Sequence, residues 1–154
     1  MSYAFFQAQK TPQLDWSTWT DRHQKRPFRL PISKTQQQQF ERLFPLLRSD
    51  QKIIIDWGCG RGDSTLHLST LHPDALIVGI DRSQARLQRN TWFKKHQKHL
   101  GLAHHHHVIL MQANIESMAL LWQKHLPKVH QQYFFYPNPY PKHNQQKKRL
   151  YAHP

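Results

Sequence analysis

The fold of this chain is set by the stretch Lys52-Ile53-Ile54-Ile55-Asp56-Trp57-Gly58-Cys59-Gly60-Arg61-Gly62-Asp63-Ser64. It opens with a short apolar run, which predicts a buried strand over residues 52–57. Three glycines follow on alternate positions, and glycine permits both a sharp turn and close approach of a ligand to the backbone. Since the Ser/Thr pair after the turn favours the start of a helix, the stretch predicts the first strand–turn–helix unit of a nucleotide-binding α/β sheet.

The charges beside the glycines indicate which kind of ligand fits. Asp63 stands where a dinucleotide fingerprint has its last glycine, and Asp56 lies at the other end of the loop. A carboxylate beside a pyrophosphate would be repelled, which disfavours NAD, whereas S-adenosylmethionine (SAM) carries a sulfonium, an ammonium and no phosphate. The loop resembles motif I of the class I SAM-dependent methyltransferases, with the pattern acid-x-G-x-G-x-G. For the loop alone, an NAD site and a ligand-free turn remain alternatives.

Composition restricts the class of protein. The 154 residues suffice for one domain, and the formal net charge of +13 favours a polyanionic partner, most simply nucleic acid. A basic surface that only confers solubility is the alternative. The single cysteine excludes an internal disulfide, and the sequence shows neither an apolar run of membrane-spanning length nor a signal-peptide pattern. We therefore expect a soluble, cytoplasmic protein.

The alternation of patterns along the chain predicts a Rossmann-like, doubly wound parallel sheet. The predicted strands are 52–57, 75–80, 108–111 and 133–136. The predicted helices begin near Lys34, capped by Ser33, and cover 63–71, 84–100 (closed by Gly101) and 115–125. The run His104–His107 is interpreted as a loop, because consecutive residues of an extended chain alternate faces and seldom form one ordered metal site.

Ligands of open α/β sheets bind outside the carboxyl ends of the strands, where this sequence concentrates its candidate residues. Asp81 ends the second strand, 23 residues beyond Gly58, near the spacing of an acid that accepts both ribose hydroxyls. Asn114 follows the third strand and can take the adenine amino group, although its neighbours are equally placed to do so. The predicted cofactor-binding residues are Asp56, Gly58, Cys59, Gly60, Asp81, Arg82 and Asn114. No metal set is evident.

The most distinctive segment is Tyr133-Phe134-Phe135-Tyr136-Pro137-Asn138-Pro139-Tyr140-Pro141-Lys142, followed by the basic run 147–149. Aromatic residues close a strand, and alternating prolines hold Asn138 in a restricted backbone. The segment resembles the F-F-P-D-P-W-x-K…K-R-R signature of bacterial tRNA (guanine-N7)-methyltransferases. Together with the Gly-rich loop and the Gly-Ile-Asp end of the second strand, the similarity covers about residues 52–150.

The aromatic, polar and proline-containing composition of residues 1–33 predicts an N-terminal arm, followed by a SAM-binding methyltransferase domain over 34–154. The family resemblance implies SAM as methyl donor and N7 of a guanine in tRNA as acceptor. It further implies that Asn138 is the catalytic residue, orienting the guanine, and that Asn138, Tyr140 and Lys142 bind substrate. Two other functions remain open: a noncatalytic SAM- or RNA-binding remnant, and an amino-methyltransferase, because Asn138-Pro139-Tyr140 partly matches an N-P-P-Y motif.

The chain departs from the family signature at two positions and in length. Asn138 stands where the family has Asp, and Tyr140 where it has Trp. The family continues beyond this signature with further strands, whereas this chain stops at Pro154. We therefore expect a sheet incomplete at its C-terminal edge, and a chain that binds SAM, tends to self-associate and turns over slowly.

Overall fold

The computed structural model describes residues 31–48, 50–125 and 128–135, together with Asp21 and Lys25. The described residues from 31 onward belong to one compact unit. Its helices are α1 (Lys34–Leu43), α2 (Asp63–Leu71), α3 (Gln84–Leu87), α4 (Thr91–His96) and α5 (Ile115–His125), with a 3-10 helix over Phe44–Leu46. Its strands are β1 (Lys52–Trp57), β2 (Ala75–Asp81), β3 (Gln97–His99), β4 (Leu102–His105), β5 (Val108–Gln112) and β6 (Gln131–Tyr133).

The six strands form one mixed sheet in the order β3-β4-β5-β2-β1-β6. The pairs β1–β2, β2–β5 and β1–β6 are parallel, whereas β3–β4 and β4–β5 are antiparallel. This sheet confirms the predicted Rossmann-like α/β fold. It adds two antiparallel strands at the β5 side, which the sequence did not indicate.

Helices cover both faces of the sheet. The central strands are therefore buried on both sides, which explains their continuous apolar sequences. On one face, Ile53 and Ile55 pack with Phe40 of α1 and Met118 of α5. On the other face, α2, α3 and α4 contribute Leu68, Leu87 and Phe93 to two smaller clusters. Every residue of β2 is buried as a result.

Several predicted boundaries are confirmed because local signals agree with the tertiary structure. Ser33 caps α1, its hydroxyl accepting the N–H of Gln36 at 3.3 Å, and the predicted bounds of β1, α2 and α5 match the observed ones. The fourth predicted strand is observed over Gln131–Tyr133, two residues earlier than expected, and residues beyond 135 lie outside the described part. None of the helices in the described ranges is long and apolar enough to span a membrane.

The prediction of one helix over residues 84–100 is wrong. Asn90 caps a new helix, α4, and the chain then turns into a β-hairpin whose strands pair Gln97 with Ala103. Gly101, expected to close the helix, lies in the turn of this hairpin with a left-handed φ of +76°. The loop prediction for the histidine run is also wrong in part, because His104 and His105 belong to β4. The hairpin satisfies backbone groups through pairing with β5, a long-range interaction that helical periodicity does not report.

Candidate functional site

The Gly-rich turn lies across the carboxyl ends of β1 and β2. The backbone N–H groups of Gly58 and Cys59 both donate to the carbonyl of Ile80, at 2.7 and 3.1 Å. Gly58, Gly60 and Gly62 all have left-handed φ angles, between +62° and +90°, which only glycine adopts readily. The alternate glycines therefore produce the tight turn that the sequence predicted.

The glycines differ in what surrounds them. Among the described residues, none has a heavy atom within 4 Å of where a Cβ on Gly60 would lie, so the described structure leaves open space beside this backbone. A Cβ on Gly62 would lie 2.6 Å from Leu110 Cδ1, and one on Gly79 would lie 2.6 Å from Leu110 Cδ2. Gly62 and Gly79 thus allow the turn and α2 to pack closely on the sheet, whereas Gly60 leaves room for a ligand.

Asp56 lies beneath the turn and is fully buried. Its Oδ2 accepts the hydroxyls of Ser64 (2.6 Å) and Thr65 (2.7 Å), which ties the end of β1 to the start of α2. Within the described residues, its Oδ1 is buried without a hydrogen-bond partner. Burial raises the pKa of this carboxyl, partly offset by the two hydroxyl bonds. Only Oδ1 is left to receive a donor from a ligand, and the described contacts of Asp56 hold the turn.

Asp81 ends β2 at the same edge; it is only 3% exposed, and its carboxylate is directed at the turn. Its Oδ2 accepts the N–H of Gly60 at 2.9 Å, its Oδ1 accepts the N–H of Ser83 at 2.7 Å, and Arg86 Nη1 lies 3.9 Å from Oδ2. Each carboxylate oxygen can accept a second hydrogen bond. Asp81 therefore holds Gly60 in place and retains two acceptor positions suited to a pair of hydroxyls.

Asn114 lies at the neighbouring strand end, as the sequence predicted, but its side chain has a structural contact. Its Oδ1 accepts the N–H of Ser117 at 2.8 Å and so caps α5. The N–H of Ala113 donates to the carbonyl of Asp81 at 3.0 Å, which joins the ends of β5 and β2. Arg82, also predicted to bind cofactor, accepts a 3.4 Å bond from Gln112 through its backbone carbonyl.

Cys59 contributes backbone to the turn, while its thiol is buried against Leu87, Phe93 and Leu110. Burial raises the pKa of this thiol strongly, and the charges of Asp56 and Asp81 raise it further. The thiol is therefore protonated at neutral pH and cannot serve as a nucleophile. Any cofactor contact by Cys59 has to come from its backbone.

Asn90 holds the Gly-rich turn, a contact that the sequence pattern did not predict. Only 5% exposed, it donates from Nδ2 to the carbonyl of Arg61 (3.0 Å) and to Asp63 Oδ1 (3.3 Å). Its Oδ1 accepts the N–H groups of Trp92 and Phe93, at 2.8 and 3.3 Å. Asn90 thus connects the Gly-rich turn to α4. An asparagine before an apolar helical stretch is an N-cap signal, which was overlooked because one long helix was expected here.

The predicted substrate-binding segment begins at the same edge of the sheet. β6 runs parallel to β1, and Tyr133 pairs with Asp56. The indole of Trp57 donates to Gln132 Oε1 at 2.8 Å, and its ring stacks on that of Phe134 with centroids 6.3 Å apart. Asn138, Tyr140 and Lys142 lie outside the described residues, so their roles stay predictions.

Comparison with known proteins gives two findings. Residues 50–154, well over half of the chain, match a family model described as "Putative methyltransferase". A stretch of 38 residues is 50% identical to the "Uncharacterized phycocyanin operon protein W" of Pseudanabaena tenuis (strain PCC 7409). That stretch covers 25% of this chain and 36% of the relative, so the chain matches only about a third of the relative's length.

Proposed function

Since the chain belongs to this family of methyltransferases, we propose that it transfers a methyl group from SAM to N7 of a guanine in tRNA. The observation that carries the proposal is the Gly-rich turn held between Asp56 and Asp81 at the carboxyl edge of the sheet. This edge is where open α/β sheets bind their ligands.

The residues present fit SAM in three respects. The backbone at Gly60 is open on one side. Asp81 offers one further acceptor position on each carboxylate oxygen, which suits the two ribose hydroxyls. The acidic residues around the turn favour a ligand that carries positive charge. When bound, SAM supplies a methyl group attached to a positively charged sulfur.

The acceptor atom explains why the site needs little acid–base chemistry. Guanine N7 has a free in-plane lone pair and no proton to lose, so no general base is required. This suits a site in which Asp56 is buried and the Cys59 thiol stays protonated. The demand on the protein is to position the reacting atoms, about 3 Å apart and in line.

Support for a tRNA guanine comes from charge and from the predicted substrate segment. The net charge of +13 favours a polyanion. In the proposed site, the side-chain oxygen of Asn138 accepts an N–H of the guanine, Tyr140 stacks on the base and Lys142 contacts a phosphate.

The test is methyl transfer by the purified chain to an unmodified tRNA transcript, followed by mass spectrometry of the nucleosides. We expect 7-methylguanosine, less of it with Asn138→Ala and Asp81→Ala, and an unchanged yield with Asp74→Ala, an exposed acid that pairs with Lys52 at 3.6 Å. Methyl on an exocyclic amine would instead support the amino-methyltransferase. SAM binding without any transfer would support the noncatalytic remnant.

A further inference from the structure

Four aromatic rings form a continuous row on the surface around the β3–β4 hairpin. Trp92 contacts His96 with ring centroids 4.8 Å apart, His96 stacks on His105 at 4.1 Å and 16°, and His105 contacts His106 at 4.0 Å. His105 and His106 are exposed, and the other two rings are half-buried. We call these four residues the ring row.

The ring row exists because the hairpin replaces the continuous helix that the sequence predicted. α4 packs against β4, which brings His96 at the end of the helix next to His105 at the end of the strand. His105 pairs with Val108, the first residue of β5. The three histidines of the row therefore lie toward the amino ends of the parallel strands, whereas Trp92, whose N–H is accepted by Asn90, lies nearer the Gly-rich turn.

The surroundings of the row are basic. Lys95 and Lys98 are exposed beside it, and both act on the titration of its histidines. The sequence contains no Asp or Glu between Asp81 and Glu116. This part of the chain consequently offers cations to a polyanion without an acidic residue of the same segment to repel it.

The stacked imidazoles of His96 and His105 favour the neutral form at pH 7. Desolvation lowers the pKa of both His96 and His105, and the neighbouring charges lower it further, those of Lys95 and His106 among them. Neutral rings can stack in this way, whereas two imidazolium ions in contact would repel each other. The facing sides of His96 and His105 are used on each other, so a base reaches the row at its exposed end, at His105 and His106. At neutral pH the lysines supply the charge and the rings supply the stacking surface.

A metal site explains the row less well. Rings stacked at 16° hold their nitrogens in nearly parallel planes, and these do not converge on one point as tetrahedral ligands must. Throughout residues 31–48, 50–125 and 128–135, no group of three His, Cys, Asp or Glu side chains is arranged to hold a metal ion.

We propose that the ring row, with Lys95 and Lys98, binds an unpaired stretch of RNA. Bases stack on the neutral rings, which is sequence-tolerant since every base has a π-face, and the lysines contact the phosphates. Base-paired RNA cannot use the rings, because its bases are already stacked within the helix. The proposal goes beyond methyl transfer, since the histidines of this surface lie apart from the Gly-rich turn and its binding can be measured without SAM.

The test is fluorescence anisotropy of the full chain with a labelled single-stranded octauridine RNA and with an RNA duplex of equal length. His96→Ala with His105→Ala is expected to weaken single-strand binding at least about fivefold and to leave duplex binding nearly unchanged. His96→Phe with His105→Phe keeps a stacking surface and is expected to bind the single strand as wild type does. The matched control is His67→Ala, which removes an exposed histidine from α2.

Lys95→Gln with Lys98→Gln is expected to weaken binding to both RNAs and to reduce the salt slope for the single strand by roughly 1.4, about 0.7 per phosphate contact. The proposal is overturned if the wild-type chain binds no single strand, if the alanine pair binds as wild type does, or if the phenylalanine pair fails to restore binding while remaining folded by circular dichroism. Loss of binding in EDTA would likewise overturn it and indicate a metal site. Failure here leaves methylation of tRNA unaffected, so the two proposals are separable.

Discussion

Replacing Asn90 tests whether the Gly-rich turn is held in place from outside its own motif. Asn90→Ala removes two hydrogen bonds to the turn and two that cap α4. Loss of an N-cap costs about 0.5–2 kcal/mol, and leaving the Arg61 carbonyl without its partner adds about 1–3 kcal/mol. We expect the free energy of unfolding to fall by about 2–4 kcal/mol in urea titrations.

Asn90→Ser separates the two roles of this side chain. The serine hydroxyl can still cap α4, but it removes both amide donors from Arg61 and Asp63. We therefore expect a smaller loss of stability, about 1–3 kcal/mol, with the same loss of SAM affinity as in Asn90→Ala. Titration calorimetry measures the affinity. We expect it to fall because a loosely held turn loses more conformational entropy when a ligand orders it.

Ser33→Ala is the matched control, since Ser33 caps α1 and contacts no residue of the turn. It is expected to lower stability by about 1 kcal/mol without changing SAM affinity. If Asn90→Ser binds SAM as wild type does, the bond to Arg61 does not position the turn and the reasoning fails. If the wild-type chain itself binds no SAM, the proposed cofactor is wrong, whatever the role of Asn90.

Three further predictions concern the strand ends. Asp81→Ala should weaken SAM binding by about 1–3 kcal/mol through loss of the ribose acceptors, and equal affinities by calorimetry would remove Asp81 from the site. Asp56 has a raised pKa in the folded state, so the wild type gains stability as the pH falls from neutral through that pKa toward the ordinary carboxyl value, whereas Asp56→Asn lacks this gain. Urea titrations should therefore show the stability of the wild type rising relative to that of the Asn variant as the pH is lowered. Gly79→Val should lower the melting temperature, since an added Cβ would overlap the side chain of Thr65 in α2 and lie 2.6 Å from Leu110 Cδ2 in β5, and overpacking costs about 1–3 kcal/mol. An unchanged melting temperature would show that the packing of α2 and β5 around Gly79 adjusts without cost.

The sequence correctly predicted those elements whose local residue pattern agrees with their burial in the folded protein. β1 and β2 are continuous apolar runs ended by an acid, and both are buried on two faces. The segment 84–100 lacks such agreement. Its basic and polar residues suit a solvated helix, but Asn90 starts a new helix and the hairpin after it gains backbone bonds from β5. Pairing between residues distant in sequence leaves no periodic signal.

The candidate site was predicted in position but not in the orientation of its side chains. The motif identified Asp56 and Asp81 as two acids at adjacent strand ends, and the methyltransferase family expected from the motifs is confirmed by the match over residues 50–154. Both carboxylates are buried; Asp56 bonds Ser64 and Thr65 at the start of α2, whereas Asp81 bonds the N–H of Gly60 in the turn. The pattern alone does not state where those hydroxyls point.

The different positions of the two carboxylates bear on how the site binds. Asp56 ties the base of the turn to α2, so the turn cannot lift from the sheet without breaking hydrogen bonds to a buried carboxyl group. Asp81 already holds the N–H of Gly60 through one lone pair, and the pair that remains on each oxygen points away from that bond. The acceptor geometry is therefore fixed by the folded chain before any ligand arrives, and binding does not have to order it. A ligand that adds hydroxyl donors to Asp81 in turn stabilises the folded state, which couples occupancy of the site to the stability of the whole sheet.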